Sequence, residues 1–162
     1  MKVLHIWNTA GVASIIAKYM DKIYGTKSWV IMRKRYDKFG ITTYGECWNY
    51  RAKIFKWRAL WEARKYDIIH VHAFDEIVPD LKVLYRKPVV LHYHGSNIRG
   101  KWNVRRKFWS KADAILYSTR DLKDEDTPEH AMWLPNPVDI EIFYPRCKYK
   151  PETAFHLSLI HI

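Results

Sequence analysis

Two His-x-His pairs, His70/His72 and His92/His94, each end a hydrophobic segment of this 162-residue chain. Residues two apart on a β-strand face the same side of the sheet, so the members of each pair are expected to share a face. His72 is predicted near a strand end, within reach of a ligand, whereas His70 lies deeper and fits a hydrogen-bonded core histidine. The four imidazoles could be read as a zinc site, but no cysteine or carboxylate ligand pattern accompanies them, so no metal is expected.

His94 is the strongest candidate for a catalytic residue. It stands where a predicted strand gives way to a loop, and Gly95 and Ser96 after it offer a small, donor-rich backbone. An imidazole at this position can hydrogen-bond a sugar hydroxyl or a phosphate, and it can carry charge near neutral pH.

Two further candidates, Gly11 and Asn136, follow other predicted strands. Gly11 lies in the turn into the first helix, where a ligand can approach the backbone and where unpaired N–H groups suit a phosphate or carboxylate. A tight structural turn explains this glycine equally well. Neither G-x-G-x-x-G nor a P-loop pattern is present, so dinucleotide and ATP binding gain no support. Asn136 stands between two prolines, where regular structure is expected to stop.

The elements that would position these residues alternate between short apolar strands and longer charged helices. Strands are predicted at 3–7, 28–32, 67–71, 88–93, 113–117 and 131–134, with another short strand at 40–45, and helices at 12–24, 50–66, 76–85 and 101–111. Several strands are continuously apolar, as in a parallel sheet buried on both faces. The pattern predicts an α/β fold, a Rossmann-like doubly wound parallel sheet with helices on both faces. Such sheets bind ligands at the carboxyl ends of their strands.

The predicted domain covers residues 1–145, followed by a linker at 146–155 and a foreign or truncated tail at 156–162. The two cysteines lack CxxC spacing, which excludes a disulfide framework. The first residues do not resemble a signal peptide, and no window has the roughly 18 apolar residues of a membrane span. A cytoplasmic location is therefore expected.

The composition is basic and aromatic. Lys and Arg number 28 against 17 Asp and Glu, a net charge of +11, and aromatic residues make up 15% of the chain. Such charge attracts nucleic acid, acidic lipid or phosphorylated substrates, although a basic surface without a specific partner explains it equally well. Residues 51–61 and 101–109 mix cations with large rings. The favoured interpretation is surface helices whose rings pack on the sheet; an interfacial membrane helix is the alternative.

The order of these segments resembles the N-terminal Rossmann-like domain of a GT-B glycosyltransferase, most closely glycosyltransferase family 4. The matching segments are MKVLHI at 1–6, YDIIHVH at 66–72, KPVVLHYHGS at 87–96, SKADAILYST at 110–119 and LPNPVDIEIFYP at 134–145. The last is the most specific, although Pro137 replaces the glycine that family members commonly carry. The turn at Gly11 also has one glycine where the family often has two. The resemblance covers about residues 1–150.

This resemblance implies one half of a GT-B architecture, in which two such domains face each other across a cleft and the N-terminal one receives the acceptor. The implied reaction is hexosyl transfer, with retention, from a nucleotide-sugar donor to a sugar or lipid acceptor, without a metal or other cofactor. His94 would face the transferred sugar and its phosphate, and Gly11 the donor phosphates. Asn136 would lie in the last segment of the domain, before the interdomain linker. His72, Gly95 and Ser96 complete the expected substrate-binding set.

The donor half of the resembling enzymes, with its Arg/Lys pair and two glutamates separated by seven residues, is not in this chain. The chain is therefore expected to need a missing C-terminal domain and to be inactive alone. One alternative is a stand-alone basic module for an anionic glycan, polyphosphate or nucleic acid, although no nucleic-acid motif is present and none is expected to bind. Another is a peripheral subunit on the inner, anionic surface of a membrane.

Overall fold

The structure is a computed structural model that describes residues 1–144; the predicted linker at 146–155 and tail at 156–162 lie outside the described residues. Seven strands form one all-parallel sheet in the order β3-β2-β1-β4-β5-β6-β7. The strands are β1 (Lys2–Ile6), β2 (Lys27–Arg33), β3 (Gly45–Trp48), β4 (Ile68–His72), β5 (Val89–Tyr93), β6 (Ala114–Tyr117) and β7 (Met132–Trp133). The helices are α1 (Val12–Tyr24), α2 (Ala52–Ala63), α3 (Val78–Leu84) and α4 (Trp102–Trp109). The predicted Rossmann-like α/β fold is confirmed.

The predicted strand at 40–45 is wrong in position, because β3 only begins at Gly45. The residues before it form a loop around Asp37, whose carboxylate accepts backbone hydrogen bonds from Ile41 (2.7 Å) and Thr42 (3.1 Å). At Gly45, a Cβ atom would lie 2.0 Å from the carbonyl oxygen of Val30. The edge strand therefore needs glycine where it joins β2.

Alternation along the central strands gives the sheet two chemically different faces. One face carries the main apolar core, which α2, α3 and α4 cover; its strand residues include Leu4, Ile6, Ile69, Val71, Leu91 and Tyr93. The opposite face lies under α1 and carries the buried histidines: His5, His70, His72, His92 and His94. The period of two that the paired histidines predict is thus confirmed.

Residues 134–144, here called the closing segment, are bound to α1 by ion pairs and hydrogen bonds. Asp139 accepts hydrogen bonds from Lys18 Nζ (2.9 Å) and from the Tyr19 hydroxyl (2.9 Å). Glu141 accepts one from Lys22 Nζ at 2.5 Å. These contacts hold the segment that carries Asn136 against the histidine face.

The expectation that helical rings pack on the sheet holds for α4 and for Phe55 of α2, and is wrong for the two tryptophans of α2. Trp102 is fully buried and Trp109 nearly so. On α2, Trp57 and Trp61 instead face solvent. Within residues 1–144, none of the helices has the length and apolar composition needed to cross a bilayer.

Candidate functional site

A cavity of about 280 Å³ opens at the carboxyl edge of the sheet, among the loops that follow β1, β5 and β6. We call it the strand-end cavity. Its lining residues are Thr9, Ala10, Val12, His94, Gly95, Ser96, Arg99, Ser118, Thr119 and Asn136. The position is the one at which open parallel sheets bind their ligands.

Four of the six predicted site residues line the strand-end cavity: His94, Gly95, Ser96 and Asn136. Gly11 lies between two lining residues and has a φ of +78°, a conformation that suits glycine. His72 is not among the lining residues. It is completely buried and is hydrogen-bonded to His94, so it can affect a ligand in the cavity only through His94.

Sharp turns shape the same edge of the sheet. Among residues 1–144, three non-glycine residues have positive φ: Trp7 (+76°), Ala10 (+51°) and Ala73 (+61°). They follow β1 or β4, and each costs about 1–2 kcal/mol because its Cβ crowds the backbone. The Asn97 side chain joins the neighbouring loops, since it accepts from the His94 N–H (3.2 Å) and donates to the Ala73 carbonyl (3.4 Å). Strain of this kind clusters at functional sites.

The predicted site set lacks four polar lining residues: Thr9, Arg99, Ser118 and Thr119. Ser118 and Thr119 directly follow β6, so the strand-end rule that selected His94 would also have found them. Arg99 is one of 28 Lys and Arg residues and lies in a loop, where the sequence offers no signal. It forms an ion pair with Asp121 and brings a permanent positive charge to the cavity wall.

Three buried histidines form a hydrogen-bonded chain that ends at the cavity. His5 Nδ1 lies 3.1 Å from His72 Nε2, and His72 Nδ1 lies 3.2 Å from His94 Nε2. We call these residues the histidine chain. The contacts follow from the sheet order, because β1, β4 and β5 are neighbours and the three side chains point to one face. His5 was missed because it is a single histidine on its strand.

The histidine chain restricts where its protons can lie. A neutral imidazole has one N–H donor and one acceptor nitrogen. Because His72 uses both nitrogens, it must donate to one neighbour and accept from the other. All three rings therefore carry their proton on Nδ1, or all three carry it on Nε2, and the tautomer of His94 is coupled to that of His5.

Burial keeps these imidazoles neutral at pH 7. Desolvation lowers the pKa of His5 to about 4 and that of His94 to about 4, while the Asn136 side chain opposes the shift at His94. Burial, together with repulsion from neighbouring imidazolium groups, holds the pKa of His72 well below its ordinary value. His94 thus differs from the expectation of a group that titrates near neutral pH. It is a neutral hydrogen-bonding ring.

Two triads of these histidines are the only groups within residues 1–144 that approach a metal-binding arrangement: His5/His70/His72 and His72/His92/His94. Within each triad the ligand atoms lie within 4.8 Å of one another. No carboxylate or thiolate joins either triad among the described residues, so a divalent charge would be buried without compensation. The short N···N contacts fit hydrogen bonds better than a metal centre.

Comparisons with known proteins identify a sequence family and a solved structure that resemble this chain. The sequence profile of Glycosyltransferase Family 4 matches residues 26–142. Among solved structures, HepE of Anabaena, crystallised in complex with UDP, resembles this chain with a TM-score of 0.57 and 14% sequence identity over 88% of this chain. At that identity the likeness concerns the fold. This chain spans 46% of the HepE chain, about half its length. A search of curated proteins finds no significant match.

Proposed function

Since this chain belongs to glycosyltransferase family 4, we propose that it is the acceptor-side domain of a retaining enzyme that transfers a hexosyl group from a nucleotide-sugar donor to a sugar or lipid acceptor. The observation that carries the proposal is the strand-end cavity, whose lining includes neutral His94 and cationic Arg99. A second domain outside this chain would hold the donor nucleotide. The UDP bound by HepE supports a nucleoside diphosphate as the leaving group.

The cavity residues can assist such a transfer through hydrogen bonds and charge. As the bond from sugar to diphosphate breaks, negative charge develops on the departing phosphate oxygen. The Arg99 guanidinium and the hydroxyl groups of Ser96 and Thr119 would stabilise that charge as fixed donors. His94, with its tautomer coupled to those of His72 and His5, would orient the sugar through a hydrogen bond and would not act as a nucleophile. We propose no metal in this step, because the Arg99 guanidinium and the hydroxyl donors can meet the developing charge.

The test measures release of nucleoside diphosphate from a panel of nucleotide-sugars, in the longer protein that contains this chain and a donor-binding domain. His94→Ala is expected to lower kcat by about a hundredfold or more, as loss of one preorganised hydrogen-bonding group does elsewhere. His130, an exposed histidine outside the cavity, supplies the matched control His130→Ala, which should keep full activity. The anomeric configuration of the product, read by NMR, tests retention.

Two results would overturn parts of this proposal. Near-normal turnover of a folded His94→Ala variant would remove the role given to His94. Turnover by the purified 162-residue chain above the no-enzyme control would show that no second domain is required.

A further inference from the structure

The outer side of α2 and the adjoining end of α3 present large apolar side chains to solvent. Ile54, Trp57 and Trp61 on α2 are 49%, 70% and 59% exposed, and Val83 and Leu84 on α3 are 85% and 53% exposed. We call these five residues the α2 face. Soluble domains rarely leave two tryptophans on one helix so open, because burying large rings is strongly favourable.

The α2 face is continuous for a simple geometric reason. Positions 54, 57 and 61 are three and four residues apart, so their side chains stack along one side of the helix. The opposite side of α2 packs on the sheet through Phe55, Ala59, Leu60 and Ala63. The helix is therefore apolar on two sides, and this is why its sequence shows no clean separation of apolar and charged halves. A groove between α2 and α3, lined by Trp57, Val83 and Leu84 among others, joins the two helices into one surface.

Uncompensated positive charge surrounds this surface. Among the ion pairs of residues 1–144, none involves Arg51, Lys53, Arg58 or Arg64. The Arg64 guanidinium lies 3.8 Å from the centre of the Trp61 ring, so the cation sits directly beside exposed apolar surface. The nearby Lys56 and Lys65 are each paired with a carboxylate, on Asp80 and Glu62 respectively.

We propose that the α2 face docks on the surface of a bilayer that contains anionic lipid. Tryptophan rings partition into the headgroup region, where one edge is apolar and the other is wet. Arginine and lysine at the rim can bury their aliphatic stems while their charged ends reach lipid phosphates. A protein partner would need carboxylates placed opposite each unpaired cation around the α2 face, whereas a fluid anionic bilayer supplies phosphates to all of them. The docking is peripheral and does not depend on the proposed sugar transfer.

The experiment is co-flotation of the 162-residue chain with vesicles of phosphatidylcholine alone and with vesicles that also contain phosphatidylglycerol. Binding is expected only to the anionic vesicles, together with a blue shift of tryptophan emission as the rings leave water. The double variant W57S/W61S should weaken binding by about tenfold or more. The double variant K53E/R58E should weaken it by about fivefold per charge removed. Circular dichroism and thermal melting establish that each variant is folded.

Two control variants distinguish binding through the α2 face from non-specific attraction of a basic protein to anionic lipid. I23S/Y24S removes two exposed apolar residues at the end of α1, on the other side of the sheet, and K111E/K123E makes the same charge change away from α2. Both should bind like the wild type. Equal losses in the α2 and control variants would overturn the proposal in favour of non-specific attraction. Failure to bind the anionic vesicles would also overturn it. Self-association through the α2 face in place of lipid binding would do the same.

Discussion

His72 connects His94 to His5 on β1, because one of its ring nitrogens is hydrogen-bonded to His94 and the other to His5. In the wild-type chain the ¹⁵N chemical shifts of the three imidazoles should report one common tautomer. His72→Leu removes the coupling, so the ¹⁵N chemical shifts of His94 should change. His70→Leu, which deletes a buried histidine outside the hydrogen-bonded chain, should leave His94 unchanged. Mixed tautomers in the wild type, or an unaltered His94 in His72→Leu, would contradict the coupling.

How far the sequence predicts these residues depends on whether they share a strand. His70, His72, His92 and His94 are recognisable because alternation along one strand fixes which side chains share a face. His5 meets them only through the order of strands in the sheet, and strand order is a tertiary property that no local pattern contains. The same limit hides Arg99, whose position depends on the path of a loop.

At the scale of elements, β3 depends on the absence of a side chain at Gly45. Its φ is +151° and an added Cβ would lie 2.0 Å from the Val30 carbonyl oxygen, so Gly45→Ala must push β3 away from β2. We expect a loss of about 2–3 kcal/mol in the free energy of unfolding, measured by urea denaturation. Gly100→Ala is the matched control, because Gly100 has positive φ but nothing within 4 Å of the added atom. It should cost only about 1 kcal/mol. Equal losses would show that backbone conformation alone accounts for the effect.

The sequence predicts the positions of most strands, but it does not predict which side of α2 is buried. Apolar runs predict six of the strands, and for the central ones the reason is that buried strands of a parallel sheet need continuous hydrophobic residues. The segment 40–45 was misassigned because it contains β-favouring residues, whereas the Asp37 carboxylate holds the preceding backbone as a loop. For α2, the amino acid types do not tell which rings face the sheet, since Phe55 and Trp57 are both large aromatic residues and only one of them is buried.

At the scale of the whole molecule, the five buried histidines make stability depend on pH. Burial lowers the pKa of each one, to about 4 for His5 and His94, whereas the unfolded chain has ordinary values near 6.5. Below pH 6.5 the unfolded chain therefore binds more protons than the folded chain, and stability falls as the pH falls. The burial-raised pKa of Asp75 opposes this trend, but by only one group.

The size of this effect should bring acid unfolding into a mild range. Each histidine contributes a slope of up to about 1.4 kcal/mol per pH unit, so five contribute up to about 7 kcal/mol per unit. Since a domain is stable by only about 5–15 kcal/mol, we expect unfolding near pH 5, followed by circular dichroism and by urea denaturation between pH 7.5 and 5. His70→Leu should reduce the slope by about 1.4 kcal/mol per pH unit, and the exposed-site variant His130→Leu should not change it. A free energy of unfolding that stays level from pH 7 to 5 would mean that the histidines do not remain neutral and buried together. In that case the histidine chain would not fix the proton positions at His94.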